Sequence, residues 1–122
     1  IKKRSLSMDE RCLKWLHDIK MALIEIEDYF KDREKNFLEY QQNTMLKRAI
    51  ERNLEIIGEA MNRILKRDNE IGEKITSAKA IIGLRNQVIH AYDSISDENI
   101  WSVVITHLPI LKAEIVGILN QK

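Results

Sequence analysis

The sequence predicts an all-α protein, an up-and-down bundle of four or five helices, and three observations carry that expectation. The 122 residues include one proline and four glycines, so few positions are set aside for tight turns. Aromatic residues make up 6% of the chain while Leu, Ile, Glu, Lys and Arg dominate, the usage of helices rather than of many short strands. Long stretches repeat apolar residues at alternating three- and four-residue intervals, which places them on one face of a helix. The length allows one hydrophobic core, and 1–122 reads as a single domain.

Ser7-Met8-Asp9-Glu10 has the form of a capping box and opens a first helix from about Met8 to Lys31. Its stripe is Cys12, Leu16, Ile19, Leu23, Ile26 and Phe30, widened by Trp15, Ala22 and Tyr29. The charged break "KDREKN" follows, and Asn36 with Glu39 is expected to cap a second helix running to about Lys66. The stripe there is Leu46, Ile50, Leu54, Ile57, Met61 and Leu65, and Gly58 within it marks a close approach of another helix. "RDNEIGEKITS" breaks the pattern, and a third helix is expected from Ser77 or Ala78 through "AKAIIGLRNQVIH". Ile95 and Ile100 flank Ser96 as a hydrophobic staple, so a fourth helix starts at about Asp97. Pro109, with no backbone N–H, is expected to kink or restart it, leaving "ILKAEIVGIL" as the terminal apolar segment.

Twenty basic and nineteen acidic residues leave a net charge of +1, which excludes a global field that gathers nucleic acid. Any RNA contact must be local. Cys12, the single cysteine, allows no internal disulfide, suits a reducing cytoplasm and reads as a small core residue. No apolar run is expected to reach the length of a membrane span, and "IKKRSLSMDERC" lacks the apolar region of a signal peptide, so the expectation is a cytoplasmic protein off the membrane. His17 and His107 have no Cys, His or acidic partner at metal-ligand spacing, so neither a metal nor a cofactor is expected. Lys47, Arg48, Glu51, Arg52 and Glu55 read as a solvated face laced with i,i+4 pairs, with partner docking as the alternative. Trp15 and Trp101 read as packing anchors rather than base-stacking platforms.

The chemistry concentrates in "GLRNQVIHAYDSISDENIW", where an arginine, an amide, a histidine and a tyrosine fall within eight residues. On a helix Arg85 and Tyr92 share one face and Asn86 and His90 the adjacent one, and near a helix end the four polar heads can converge on a cleft with Asp93 beside them. Such a group suits cleavage of a phosphodiester without metal. Arginine binds the phosphate with its fork of donors, and histidine, titrating near neutral pH, moves a proton. One histidine fills one role, and a homodimer with this stretch at its interface would supply both an acid and a base. The other reading of the same spacing is a helix terminus whose polar residues cap carbonyls and pair with acids.

Arg85-Asn86, then His90, then Tyr92 resemble the R-x4-H-x-Y signature of the HepT-like branch of the HEPN superfamily. "ERNLEIIGEAMNRI", "IIGLRNQVIHAY" and "ISDENIWSVVITHLPILKAEI" extend the resemblance over roughly Arg48 to Ile115. The resemblance implies a HEPN-like bundle acting as a homodimeric, metal-independent endoribonuclease, the toxin of a toxin–antitoxin pair. It makes Arg85 and His90 catalytic, Asn86 a substrate-binding or supporting residue, and Tyr92 the site at which a minimal nucleotidyltransferase antitoxin transfers AMP from ATP. A bulky anion two residues from the histidine would fill the groove and repel RNA phosphate. "IGEKITSAKAIIG" departs from the family pattern by lacking an aromatic residue and prolines, and Asp93, Asp97 and Glu98 bring negative charge near the groove. Glu59, in "IGEA", is a candidate partner for Arg85. The alternative function is a non-catalytic nucleotide- or RNA-binding subunit that docks a nucleotidyltransferase.

Overall fold

The computed structural model describes residues 9–90 and 96–121, without the side chains of residues 87–90. It is all-α, as expected. Four long helical stretches, α1 (Glu10–Tyr29), α3 (Thr44–Arg67), α5 (Ala78–His90) and the run from Asp97 to Asn120, form the bundle, and two short helices, α2 (Phe37–Gln42) and α4 (Asn69–Glu73), occupy the connections. The last run comprises α6 (Asp97–Ser102), a π-helical turn (Val103–His107) and α7 (Leu108–Asn120).

The α3 helix is the spine, packed against α1 on one side and α5 on the other, while α7 lies on α1. Polar contacts fix the directions. Asp9 at the start of α1 meets Arg67 at the end of α3 at 3.0 Å, and Lys47 near the start of α3 meets Asp97, beyond the end of α5, at 3.1 Å. Both neighbours therefore run antiparallel to α3. The stripes read from sequence form one core cluster, except that Ile64 takes the core place expected of Leu65, which is only partly buried; Cys12, Leu16, Ile19, Ile50, Ile57, Met61, Ile64, Leu111 and Ile115 are fully buried. Burial of these side chains, each contributing about 1.5–3 kcal/mol for a large aliphatic residue, is the main force holding the helices together.

The helix boundaries correct several expectations. The α1 helix is capped by Asp9, whose carboxylate accepts from the backbone of Arg11 at 2.8 Å and of Cys12 at 3.4 Å. The expected box residues Ser7 and Met8 lie outside the described residues. The expected long second helix is broken at Asn43. Asn36 caps only α2, through Glu39 N–H, and Asn43 then leaves the helical conformation and caps α3 by accepting from Leu46 N–H at 3.0 Å. Asp68 likewise ends α3 and caps α4, so the polar "RDNEIGEKITS" contains a short helix rather than a simple break.

The helix before Pro109 is not interrupted. Proline cannot donate to the carbonyl four residues back and its ring crowds that carbonyl. The turn ahead of it widens, and Leu108 N–H donates to Val103 O, five residues back, a π-type bond that carries the helix past the proline. The result overturns the reading of apolar run length. Asp97–Asn120 is a continuous helix of 24 residues, long and apolar enough by length and composition to cross a membrane. One side of it, Ile100, Val103, Val104, Leu108, Leu111, Ile115 and Ile118, belongs to the core, and Ile105 and Ile110 face outward. Its polar residues tie it to the bundle: Lys112 Nζ meets Glu27 at 2.8 Å, Glu114 accepts from Thr76 N–H at 3.1 Å, and His107 Nδ1 lies 3.1 Å from Ser77 Oγ just before α5.

Two further polar details sit in the packing. Asn53, buried in α3, directs Nδ2 at Glu25 Oε1, Tyr29 Oη and Ala49 O, all within 3.1 Å, and the Tyr29 hydroxyl donates to Glu25 at 2.8 Å. Those hydrogen bonds hold the Glu25 carboxyl below its ordinary range. Tyr40 is fully buried in an aromatic cluster with Phe37 and Trp101, its ring centroid 5.1 Å from that of Trp101. Its hydroxyl has no hydrogen-bond partner among the described residues, and burial drives its pKa far up. Trp101 is thus a packing anchor, as read.

Candidate active site

The α5 helix carries the motif, and its contact with α3 positions the arginine. At Gly58 a Cβ would lie 2.6 Å from Arg85 Cγ and closer still to Arg85 Cβ, so only glycine lets the stem of Arg85 lie across the α3 backbone. The close helix approach read from Gly58 is therefore present, and Arg85 is the residue that uses it. Beyond the stem, the guanidinium forms an ion pair with Glu59 through Nη2 and donates from Nη1 to Asn86 Oδ1 at 2.7 Å. Its Nε is buried and has no acceptor among the described residues.

Glu59 was a candidate partner for Arg85, and the pair is formed, at the rim of a cleft rather than inside the core. The carboxylate is shared: its other oxygen accepts from Arg63 Nε at 3.0 Å, one turn farther along α3. The cleft has a volume of about 320 Å3 and opens between α1 and α3, with Trp15, Arg52, Glu59, Arg63 and Arg85 among its lining residues. Positive charge from three arginines and Lys14 meets Asp18, Glu55 and Glu59 there. Sequence reasoning missed Trp15, Arg52 and Arg63 as neighbours of the motif. The i,i+4 spacing of Glu59 and Arg63 could have joined those two, but no local spacing links α3 to α5.

Of the expected site residues, Arg85 and Asn86 are brought together on α5, and the helix continues through His90, so His90 stands one turn beyond Asn86. The His90 side chain, Tyr92 and Asp93 lie outside the described residues. Asp97, expected to burden the groove with negative charge, is paired with Lys47. The expected solvated face on α3 holds in part: Arg48 and Arg52 are exposed, but Lys47 bonds across to the start of α6, Arg52 and Glu55 line the cleft, and no i,i+4 bridge joins this set among the described residues. His17 is exposed, and Cys12 is buried, its thiol pushed up by burial. Among the described residues no three His, Cys, Asp or Glu side chains cluster as a metal site requires.

A fork of arginine donors beside a cleft, on a helix that carries a histidine about one turn farther on, suits the binding of a phosphate. Comparison with known proteins points the same way. Residues 19–118 match the family model described as "Ribonuclease HepT-like". A protein of Methanocaldococcus jannaschii named "Putative RNase MJ1380" is 35% identical over 111 residues, covering 88% of this chain and 97% of its own length. A protein of Caldanaerobacter subterraneus named "Putative RNase TTE0752" is 32% identical over 87 residues, covering 71% and 77%. No solved structure matches the chain.

Proposed function

The chain belongs to the HepT-like ribonuclease family, and from that premise we propose that it is the toxin of a toxin–antitoxin pair, a metal-independent endoribonuclease acting in the cytoplasm as a homodimer. The observation that carries the reading is the held arginine: Arg85 is packed on Gly58 and braced by Glu59 and Asn86, on the same helix as His90. A guanidinium fixed in this way binds phosphate oxygens with little ordering left to be done.

In the proposed reaction the ribose 2′-oxygen attacks the adjacent phosphorus while the bond from phosphorus to the 5′-oxygen of the next nucleotide breaks. The 2′-hydroxyl gives up its proton and the 5′-oxygen gains one, which leaves a 2′,3′-cyclic phosphate and a free 5′-hydroxyl. Arg85 neutralises the charge that builds on the phosphoryl oxygens. His90 carries one of the two proton transfers, and His90 of the second subunit carries the other, so the homodimer supplies both acid and base. Asn86 supports Arg85. A minimal nucleotidyltransferase is the antitoxin: the Tyr92 hydroxyl attacks the α-phosphorus of ATP, pyrophosphate leaves, and the bound AMP blocks the groove by bulk and charge.

The acids within the cleft's mixed lining favour one rival, a binding subunit that docks a nucleotidyltransferase without cutting RNA, because Glu59 already occupies part of the Arg85 fork. A cleavage assay in EDTA with the unmodified protein and its His90→Ala variant, both checked by intact mass, separates the two. Cleavage by the first and none by the second is the expected outcome. Absence of cleavage from protein of unmodified mass would leave the binding subunit in its place.

A further inference from the structure

We propose that Glu59 is a positioning residue for Arg85, setting the direction in which the arginine offers its donors to phosphate; the proposal rests on the nuclease reading above. An arginine has five N–H donors. In this site one N–H of Nη2 goes to Glu59 and one of Nη1 goes to Asn86, while the Nε–H is sealed in the packing. One donor on each Nη nitrogen is left for phosphate oxygens. Asn86 is exposed and sits on the same helix as the arginine, so it cannot by itself fix the guanidinium against the rest of the fold. Glu59 comes from the other helix and supplies that reference point.

The carboxylate is itself held. Arg63 Nε donates to its second oxygen at 3.0 Å, so Glu59 lies between two guanidinium groups that fix its rotamer. The arrangement also limits the electrostatic cost of placing an acid beside a phosphate site. Two arginines against one carboxylate leave the three-residue cluster with a charge of +1, and the field toward an incoming phosphate stays attractive. Two opposite consequences of Glu59 therefore compete: it orients the arginine and it offsets part of the arginine's charge. Orientation wins in this geometry because the charge is shared with Arg63, whereas Gly58 holds only the stem and no other α3 side chain hydrogen-bonds the guanidinium among the described residues.

The test compares the unmodified protein with Glu59→Ala, Glu59→Gln, Arg85→Ala and the Glu59→Ala/Arg85→Ala double variant, with helical content followed by circular dichroism. Two readouts are taken, cleavage of an RNA oligonucleotide and binding of the same oligonucleotide carrying 2′-O-methyl groups, which lacks the attacking hydroxyl. Glu59→Ala is expected to lower kcat by roughly ten- to a hundredfold with a much smaller change in KM, the cost of a misdirected catalytic group. Glu59→Gln keeps an acceptor oxygen for Arg85 and recovers most of that loss. In the Arg85→Ala background the Glu59→Ala change adds nothing, because a positioning residue acts only through the group it positions.

Faster cleavage or tighter binding by Glu59→Ala would overturn the proposal and make Glu59 an acid that merely guards the cleft. A loss that persists undiminished without Arg85 would overturn it in favour of a structural role. Should the unmodified protein bind the 2′-O-methyl RNA without cutting unmodified RNA, the nuclease reading fails while the binding cycle still judges Glu59: weaker binding by Glu59→Ala, abolished in the Arg85→Ala background, sustains the positioning role. Neither cleavage nor binding would sink both.

Discussion

Replacing Gly58 with alanine tests the helix contact on which the site stands. The added methyl would lie 2.6 Å from Arg85 Cγ and nearer to Cβ, atoms tied closely to the α5 backbone, so no simple rotamer change clears it. Restoring an ordinary carbon–carbon separation of about 3.5–4.0 Å means parting α3 and α5 by roughly 1 Å. Overpacking of this kind costs about 1–3 kcal/mol, and the rigid atoms involved put the cost near the upper end. Against it stands the gain of alanine over glycine inside a helix, about 1 kcal/mol. The balance is a loss of about 2 kcal/mol, or a fall in Tm of roughly 8 °C for a domain of this size. Gly117→Ala is the internal control: the same substitution, also inside a helix, meets nothing within 4 Å among the described residues and should raise Tm by a few degrees. Calorimetry on the three proteins reads both signs, and a Gly58→Ala protein as stable as its parent would refute the argument. Displacement of Arg85 by about 1 Å should also reduce RNA cleavage by roughly a hundredfold.

Asn53→Ala removes a buried amide that joins α1 to α3 and should cost about 1–3 kcal/mol in chemical denaturation. The pH dependence has a defined sign: the Glu25 carboxyl is held below its ordinary value of about 4.3, so its contribution is complete above that pH and is lost as pH falls through the lower folded value. The stability gap between Asn53→Ala and the parent should therefore narrow below about pH 4, and a gap that widens there would contradict the assignment. Tyr40→Phe deletes a hydroxyl with no partner among the described residues and should leave Tm unchanged or higher; a fall of several degrees would mean that the hydroxyl has an acceptor. Cys12, fully buried with its thiol pushed up, should react with a thiol reagent only after denaturation, which mass spectrometry can follow.

Much of this fold was legible because its signals are periodic. The stripes Cys12 to Phe30 and Leu46 to Met61 are buried as the spacing requires, and the starts at Ala78 and Asp97 stand where Ser77 and Ser96 end the polar segments. The errors share a cause, which is that chain breaks depend on competition between local groups. Asn43 looks like any polar residue in a helical pattern until its side chain takes Leu46 N–H, and Pro109 looks like a break until a widened turn absorbs it. Of the candidate site, Arg85 and Asn86 could be read from the motif, and Gly58 announced that a neighbour comes close. That the neighbour is the Arg85 stem, and that Arg63 shares the Glu59 carboxylate, are facts of tertiary packing that no periodicity contains.

The stem of Arg85 lying across Gly58 has a genetic consequence. The arm proposed to hold phosphate is also part of the contact between α3 and α5, so a substitution at that contact reaches the site without touching a motif residue. On the proposed toxin reading, cells that survive expression of the chain without its antitoxin should carry escape mutations along the facing sides of α3 and α5 as well as in the four motif positions, and many of the escaped chains should still fold. The target for inactivation is then the whole seam between two helices.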